Sequence, residues 1–447
     1  MSSKPSLRVV KVFDATAMVA GNMIGSGIFL LSGYAAASVG GPGVLLLAWM
    51  FGGIMALWGA LTTAELATRF PRTGGDFVYL HQSYGPFSAF LYGWMSLVIS
   101  MSGSIAILAL FSSKYVWILA GIQTPSPAGE KLVACGIVIL YALLHTLKVT
   151  VGSRFQSVLT VVKVLAILLL GTLLLMSPAP AGAVSIDGRG HPGGVLSGFS
   201  LALIPIFFTY SGWNVVGYMA GEVHHPRRTL PRALLFGTVV TVVLYLYLNA
   251  GFVSILGVDG MRDEALVPMA ALRLSRFAGW SGFVNFLIFL STVSSLSIAV
   301  QSGARIYQAM GENGLFFRGA ARVHPRFRTP VTSLMVQTGW SAVLILFLPI
   351  RSLVDSVTVV MVLFSALTIS AVFRARRNER ESIPEEGGPF RTPLSRTTPI
   401  AYVVSCLFIS AGVIRFYLIQ GSLLPLWGFL FLVAGAVVFR IWRKGGR

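Results

Sequence analysis

Of 447 residues, 55% are hydrophobic and only 11% are charged, and the mean hydropathy is +0.79. Soluble domains carry about 25% charged residues, so a chain this long and this apolar cannot hide its surface in water and has lipid as its second solvent. The net charge of +19 does not indicate a nucleic-acid partner, because the cations stand in short clusters between apolar stretches, as membrane topology signals do.

In chain order, residues 1–13 form a polar, basic tail (Lys4, Arg8, Lys11) expected in the cytoplasm. From Ala15 to Ala64 there is no Asp, Glu, Lys or Arg. One crossing takes roughly 20 apolar residues, so this stretch exceeds both a single span and a signal-peptide core. Gly40-Gly41-Pro42-Gly43 divides it into a hairpin of two spans. Further spans are predicted over 87–112, 132–147, 155–176, 196–221, 233–257, 277–304, 331–349, 353–373, 397–418 and 423–440, twelve in all, before a short tail at 441–447. With the N-terminus inside, 24 of the 34 Lys and Arg fall in cytoplasmic segments, which is the expected inward bias of cations. Both termini are therefore expected in the cytoplasm and the chain in the cell membrane. The segment from Phe77 to Phe87 reads as an amphipathic helix beneath the cytoplasmic mouth.

Span 1 contains Gly21-Asn22-Met23-Ile24-Gly25-Ser26-Gly27-Ile28-Phe29. A glycine costs a helix interior about 1 kcal/mol relative to alanine, so three of them with a serine predict a local break. Ser26 stands roughly 18 Å beyond Asp14, near mid-membrane. Span 6 contains Phe207-Phe208-Thr209-Tyr210-Ser211-Gly212-Trp213-Asn214, with Ser211 roughly 16 Å before Glu222. The two weak points lie at similar depth, where lipid cannot satisfy freed backbone groups. The half-helix beginning after Gly25 offers N–H groups and a positive dipole end to a carboxylate. The carbonyls before it, and those before Gly212, suit an ammonium group. One zwitterion satisfies both, which is the physical argument for an α-amino acid. Gly-x-Gly also serves close helix contacts, but its recurrence five spans later favours a ligand site between inverted repeats over 14–176 and 196–373.

Lys163 in span 5 lies roughly 13 Å beyond Arg154, deep enough to strain a snorkelling side chain. An ionisable group there costs about 2.5–3.5 kcal/mol and is a functional candidate. A role in proton coupling stays open. Glu65, Glu222 and Arg305 read as charges at span ends, and Arg374, Arg376, Arg377 and Arg380 as an anchor facing anionic lipid. Cys135 and Cys406 lie in apolar stretches without metal-ligand spacing. The histidines form no metal set, and no catalytic triad, Walker or zinc signature occurs. No cofactor, metal or enzymatic activity is expected.

Several short motifs follow one another in a specific order. They are Gly25-Ser26-Gly27-Ile28-Phe29, Ala64-Glu65-Leu66 with Phe70-Pro71-Arg72-Thr73-Gly74-Gly75-Asp76, and Phe208-Thr209-Tyr210-Ser211-Gly212-Trp213-Asn214. Pro226-Arg227-Arg228, Leu230-Pro231-Arg232, Gly311-Glu312-Asn313-Gly314 and Gly387-Gly388-Pro389-Phe390-Arg391-Thr392-Pro393 continue the series. Over nearly its whole length the chain resembles the amino acid–polyamine–organocation superfamily, in particular the L-type amino acid transporter branch and its bacterial homologues. The resemblance implies an all-α polytopic membrane protein of leucine-transporter fold. Such a fold has twelve transmembrane helices in a five-plus-five inverted repeat, with helices 1 and 6 discontinuous and two trailing helices over 397–440.

The same resemblance implies that Gly25, Ser26 and Gly27 hold the substrate carboxylate and that the carbonyls of Met23, Ile24, Phe208 and Ser211 receive its amine. Phe208 matches the gate, and Tyr210, Gly212 and Asn214 complete the span 6 side. Lys163 would stand where sodium-coupled relatives hold sodium, bridging Gly21 and Asn22 to Ser294 and Ser295. The implied function is sodium-independent exchange or uniport of neutral L-amino acids by alternating access. A proton-coupled symporter and a non-transporting sensor of the same fold are the alternatives. The bulk of Phe208, and the lack of an acidic residue in the expected pocket, favour neutral substrates. Animal relatives carry a cysteine in the loop after span 3 that bonds an accessory glycoprotein. Ser113 to Lys131 has none, so no disulfide-linked heavy subunit is expected.

Overall fold

The computed structural model describes residues 10–122, 124–146, 152–178, 194–262, 264, 266–324, 329–379, 388–419 and 426–445. Lys4, Arg8, Arg380, Gly387 and the last two residues of the C-terminal tail lie outside the described residues. In lipid only a helix or a closed barrel satisfies its own backbone, and the described residues form helices joined by turns. One parallel bridge pairs Val10 with Val223, through Val10 N–H to the Glu222 carbonyl (3.1 Å) and His224 N–H to the Val10 carbonyl (2.9 Å).

The first predicted span is two helices, α1 (Val12–Met23) and α2 (Gly27–Ala37), bent by 42° at their break. After the Gly-Pro turn comes α3 (Pro42–Arg69), with proline in its first turn where no N–H is missed. The predicted amphipathic segment is α4 (Asp76–Tyr84). The third span is α5 (Pro86–Met95) and α6 (Met101–Leu119), joined by a π-turn at Ser96–Ser100. Helices α7 (Pro127–Thr146) and α8 (Gly152–Leu175) follow. The sixth span is again divided, into α9 (Val195–Tyr210) and the short α10 (Val215–Tyr218). The remainder is α11 (Pro226–Met261), α12 (Val267–Leu274), α13 (Ser281–Glu312), α14 (Val331–Phe347), α15 (Ile350–Glu379), α16 (Thr397–Ile419) and α17 (Leu426–Gly445).

Among the described residues eight helical stretches are long and apolar enough to cross a membrane, and the bent pair α1–α2 would make a ninth. Helices α9 and α14 are apolar but shorter. Several helices outrun the predicted spans, α13 reaching Glu312 and α15 reaching Glu379. Hydropathy marks where lipid ends, whereas the hydrogen-bond ladder continues into water. Helix α1 packs on α8, α11 and α13, and α2 packs on α9 and α11, so both halves of the broken first span are enclosed by protein.

Helix α3 ends at a buried ionic cluster. Glu65 is fully buried and accepts from Arg69 (2.8 Å), from Arg376 (2.6 and 2.7 Å), and from the amide and hydroxyl of Thr392 (2.8 and 2.7 Å). Arg376, expected to face anionic lipid, instead turns inward to this carboxylate, and Arg374 lies over the Tyr84 ring. Glu65 thereby ties α3, α15 and the segment before α16 together. Removing one partner of a buried pair costs about 3–5 kcal/mol because the other charge is stranded. Glu65→Ala is expected to lower the thermal midpoint in detergent sharply, and an unchanged midpoint would show that the cluster is merely decorative.

Candidate functional site

The break in span 1 is a short reversal of hydrogen bonding. Ile24 N–H still reaches the Ala20 carbonyl (2.7 Å), but Gly25 N–H turns back to Met23 (2.8 Å) and α2 starts afresh at Gly27. The amides of Ser26, Gly27 and Ile28 open that helix with no turn behind them to accept. The Ser26 hydroxyl is buried and has no hydrogen-bond partner. Gly27 is required by space, since a methyl there would stand 2.9 Å from Thr209 Cα and 2.8 Å from its hydroxyl. The two broken spans therefore touch almost backbone to backbone.

The second break follows the same logic. Helix α9 stops at Tyr210, Ser211 is extended, and Gly212 has φ +106°, a left-handed conformation that favours glycine. The Gly212 carbonyl accepts from Asn22 Nδ2 (2.9 Å), which ties the breaks together. Between them lies a cavity of about 140 Å³, room for a small solute rather than a drug-sized ligand. Its walls include Met23, Gly25, Ser26 and Gly27 from span 1, and Phe208, Ser211, Gly212 and Asn214 from span 6. Asn22 and Ser295 also reach it.

Several expected placements are corrected. Ile24 is not among the residues lining the cavity, and its carbonyl already accepts from Lys163 and Ser295 rather than standing open to a substrate amine. Tyr210 packs between Trp49 (5.7 Å) and Tyr245 (5.1 Å), because two residues along a helix turn the side chain to the opposite side from Phe208. The Phe208 carbonyl already takes both N–H and O–H of Ser211 (3.1 and 2.6 Å), and the Met23 carbonyl accepts from Tyr245 Oη (2.6 Å). Tyr245 and the cavity-lining Trp213 were not singled out from sequence. The signal was there for Tyr245, since a phenol at membrane depth needs a partner.

Lys163 is 2% exposed and donates to the Gly21 carbonyl (2.7 Å), the Ile24 carbonyl (3.0 Å) and Ser295 Oγ (2.8 Å). Gly21 and Ser295 were expected; Ile24 takes the place foreseen for Asn22, whose amide is committed to Gly212. Ser294 is buried on the neighbouring position of α13. Among the described residues no carboxylate forms an ion pair with Lys163. Its Nζ sits at the carbonyl end of α1, the negative end of that helix dipole. The close approach is permitted by Gly21, where a methyl would lie 2.1 Å from the Thr160 hydroxyl. Further along α13, Arg305, read as a charge at a span end, pairs with Glu222 (3.1 Å).

The cavity also reaches Asp76, contrary to the expectation of a pocket without acid. Asp76 opens α4 and is 7% exposed. Its Oδ2 accepts from Asn214 Nδ2 (2.7 Å), Tyr218 Oη (3.2 Å) and Tyr92 Oη (3.3 Å). Burial outweighs these three donors and pushes the carboxyl up to about 6.

A family profile described as "Amino acid permease" matches residues 10–439. The mouse "b(0,+)-type amino acid transporter 1" is 27% identical over 407 residues, covering 90% of this chain and 81% of that one. The "Serine/threonine exchanger SteT" of Bacillus subtilis (strain 168) is 26% identical over 400 residues, 88% of each chain. The human "Cystine/glutamate transporter" is 25% identical over 411 residues, 90% of this chain and 80% of that protein.

Proposed function

Because the chain belongs to the amino acid permease family, we propose that it is a secondary transporter of neutral L-amino acids, exchanging them by alternating access without sodium. The architecture that accompanies this reading is twelve spans in the cell membrane, with spans 1–5 and 6–10 as inverted repeats of leucine-transporter type and both termini cytoplasmic. The observation that carries it is the pair of main-chain interruptions facing one cavity. The open amides at Ser26 and Gly27 and the partnerless Ser26 hydroxyl suit a carboxylate. The Ser211 carbonyl suits an amine, with the Phe208 side chain beside it, whereas the Met23 carbonyl, expected to share that role, is already taken by Gly25 N–H and Tyr245 Oη.

The relatives are named for amino acids with quite different side chains. A clasp made of main chain accounts for that breadth, because every α-amino acid presents the same two charged groups. Sodium independence is supported by the Lys163 ammonium, which occupies the oxygen cluster of Gly21, Ile24 and Ser295. Cys135 and Cys406 lie within α7 and α16, which supports operation without a disulfide-linked heavy subunit.

Proteoliposomes preloaded with unlabelled alanine, serine or leucine are expected to accumulate the labelled amino acid saturably. The rate should not change when choline replaces sodium at constant ionic strength. Saturable binding without counterflow would identify a sensor of the same fold, and a steep rise with external sodium would remove the role given to Lys163.

A further inference from the structure

Three elements converge on one carboxylate at the α4 end of the cavity. Asp76 comes from α4, Tyr92 from α5, and Asn214 and Tyr218 from the start and end of α10. The donors crowd on Oδ2 and also bond each other: Tyr92 Oη to Tyr218 Oη at 2.8 Å, and Asn214 Nδ2 to Tyr218 Oη at 2.9 Å. This arrangement leaves Oδ1 as the atom to carry a proton. The main chain reinforces the same junction, with Gly74 N–H donating to the Tyr218 carbonyl (3.2 Å). We propose that Asp76 is a proton-binding latch that holds α4 against α10 and α5 and so closes the cytoplasmic end of the substrate cavity. The proposal rests on the transporter reading and on the orientation given with it.

Among the described residues the charged side chains on the neighbouring elements are engaged elsewhere. Helix α4 packs on α5, α13 and α15. From α15, Arg374 covers Tyr84 and Arg376 holds Glu65. From α13, Arg305 holds Glu222. On α4 itself His81 stacks on Phe77. The titratable groups bonded to Asp76 are the phenols Tyr92 and Tyr218. Among the described residues no cation forms an ion pair with Asp76.

The sign follows from burial. A carboxyl held at about 6 when buried binds its proton more tightly than the same group in water. A bound proton therefore favours the closed latch, and that preference disappears as pH rises through about 6. Opening requires the ionised form, which water solvates better than three weak donors do.

The test is efflux from proteoliposomes oriented so that the α4 side faces a compartment of controlled pH. Between pH 7.5 and 5 the wild-type rate is expected to fall about tenfold, following the ionised fraction. Asp76→Asn, which mimics the protonated group, should be slow and independent of pH, whereas Asp76→Glu should restore a titration. Because the two phenols share a bond, either can replace the other as donor; the double change Tyr92→Phe and Tyr218→Phe keeps the ring against Phe364 and removes the phenolic donor to the anion, so its midpoint should move up by about one unit. A wild type that exchanges amino acids with a flat pH profile overturns the latch while leaving the transporter reading intact. So does an Asp76→Asn protein that keeps the wild-type profile, or a midpoint of the double phenylalanine variant that does not move. Absence of any exchange by the wild type would instead overturn the transporter reading.

Discussion

Replacement of Gly27 by valine is expected to abolish amino acid binding and exchange while the protein still inserts and elutes like the wild type. The α-carbon of Gly27 lies so close to α9 that even one methyl would meet Thr209 Cα at 2.9 Å and its hydroxyl at 2.8 Å. Backbone cannot rotate out of the way as a side-chain tip can, so α2 must lift off α9. The amides of Ser26 and Gly27 then lose their aim at a common point in the cavity. A hydrogen bond to a charged group is worth about 1.5–3 kcal/mol. Losing two should weaken binding at least ~100-fold. Isothermal titration or a scintillation proximity assay reads this directly. Near-wild-type affinity in Gly27→Val would mean that the carboxylate does not bind at the start of α2.

The second large effect is expected at Lys163→Met. Methionine nearly fills the space of the lysine stem but donates nothing to Gly21, Ile24 or Ser295. Ser295 has a single proton to share between the Gly21 and Ile24 carbonyls, 3.2 and 3.0 Å away, and Ser291 reaches Ile24 only at 3.4 Å, so one of them is left buried without a close donor. An orphaned buried acceptor costs about 1–3 kcal/mol, and the penalty falls on the hinge between α1 and α2. Exchange should drop on the order of 10- to 100-fold, with a smaller loss of thermal stability. A variant that exchanges at the wild-type rate would reduce Lys163 to a snorkelling side chain.

The breaks at Gly25–Gly27 and Ser211–Gly212 were legible in sequence because lipid tolerates no unsatisfied backbone without a reason, and glycine marks where the backbone departs from the helix. The depth of Lys163 was legible on similar grounds of solvation. What surrounds these points was not. The bond from Tyr245 to Met23 joins residues 222 positions apart, and nothing in the apolar run of span 7 announces which carbonyl its phenol seeks. Ile24 takes the place expected for Asn22 beside Lys163 through its main-chain carbonyl, because at a break the carbonyls no longer point along the helix to the next turn. Asp76 was read as part of a loop motif, since only the packing of α4 under the sixth span brings its carboxylate into the cavity wall.

The bridge between Val10 and Val223 has a mechanical consequence. It stitches the beginning of α1 to the strand of chain that leaves α10, two half-membrane segments that also pack on each other. They cannot swing as independent levers. Whatever force displaces one arm is delivered to the other through a pair of main-chain bonds.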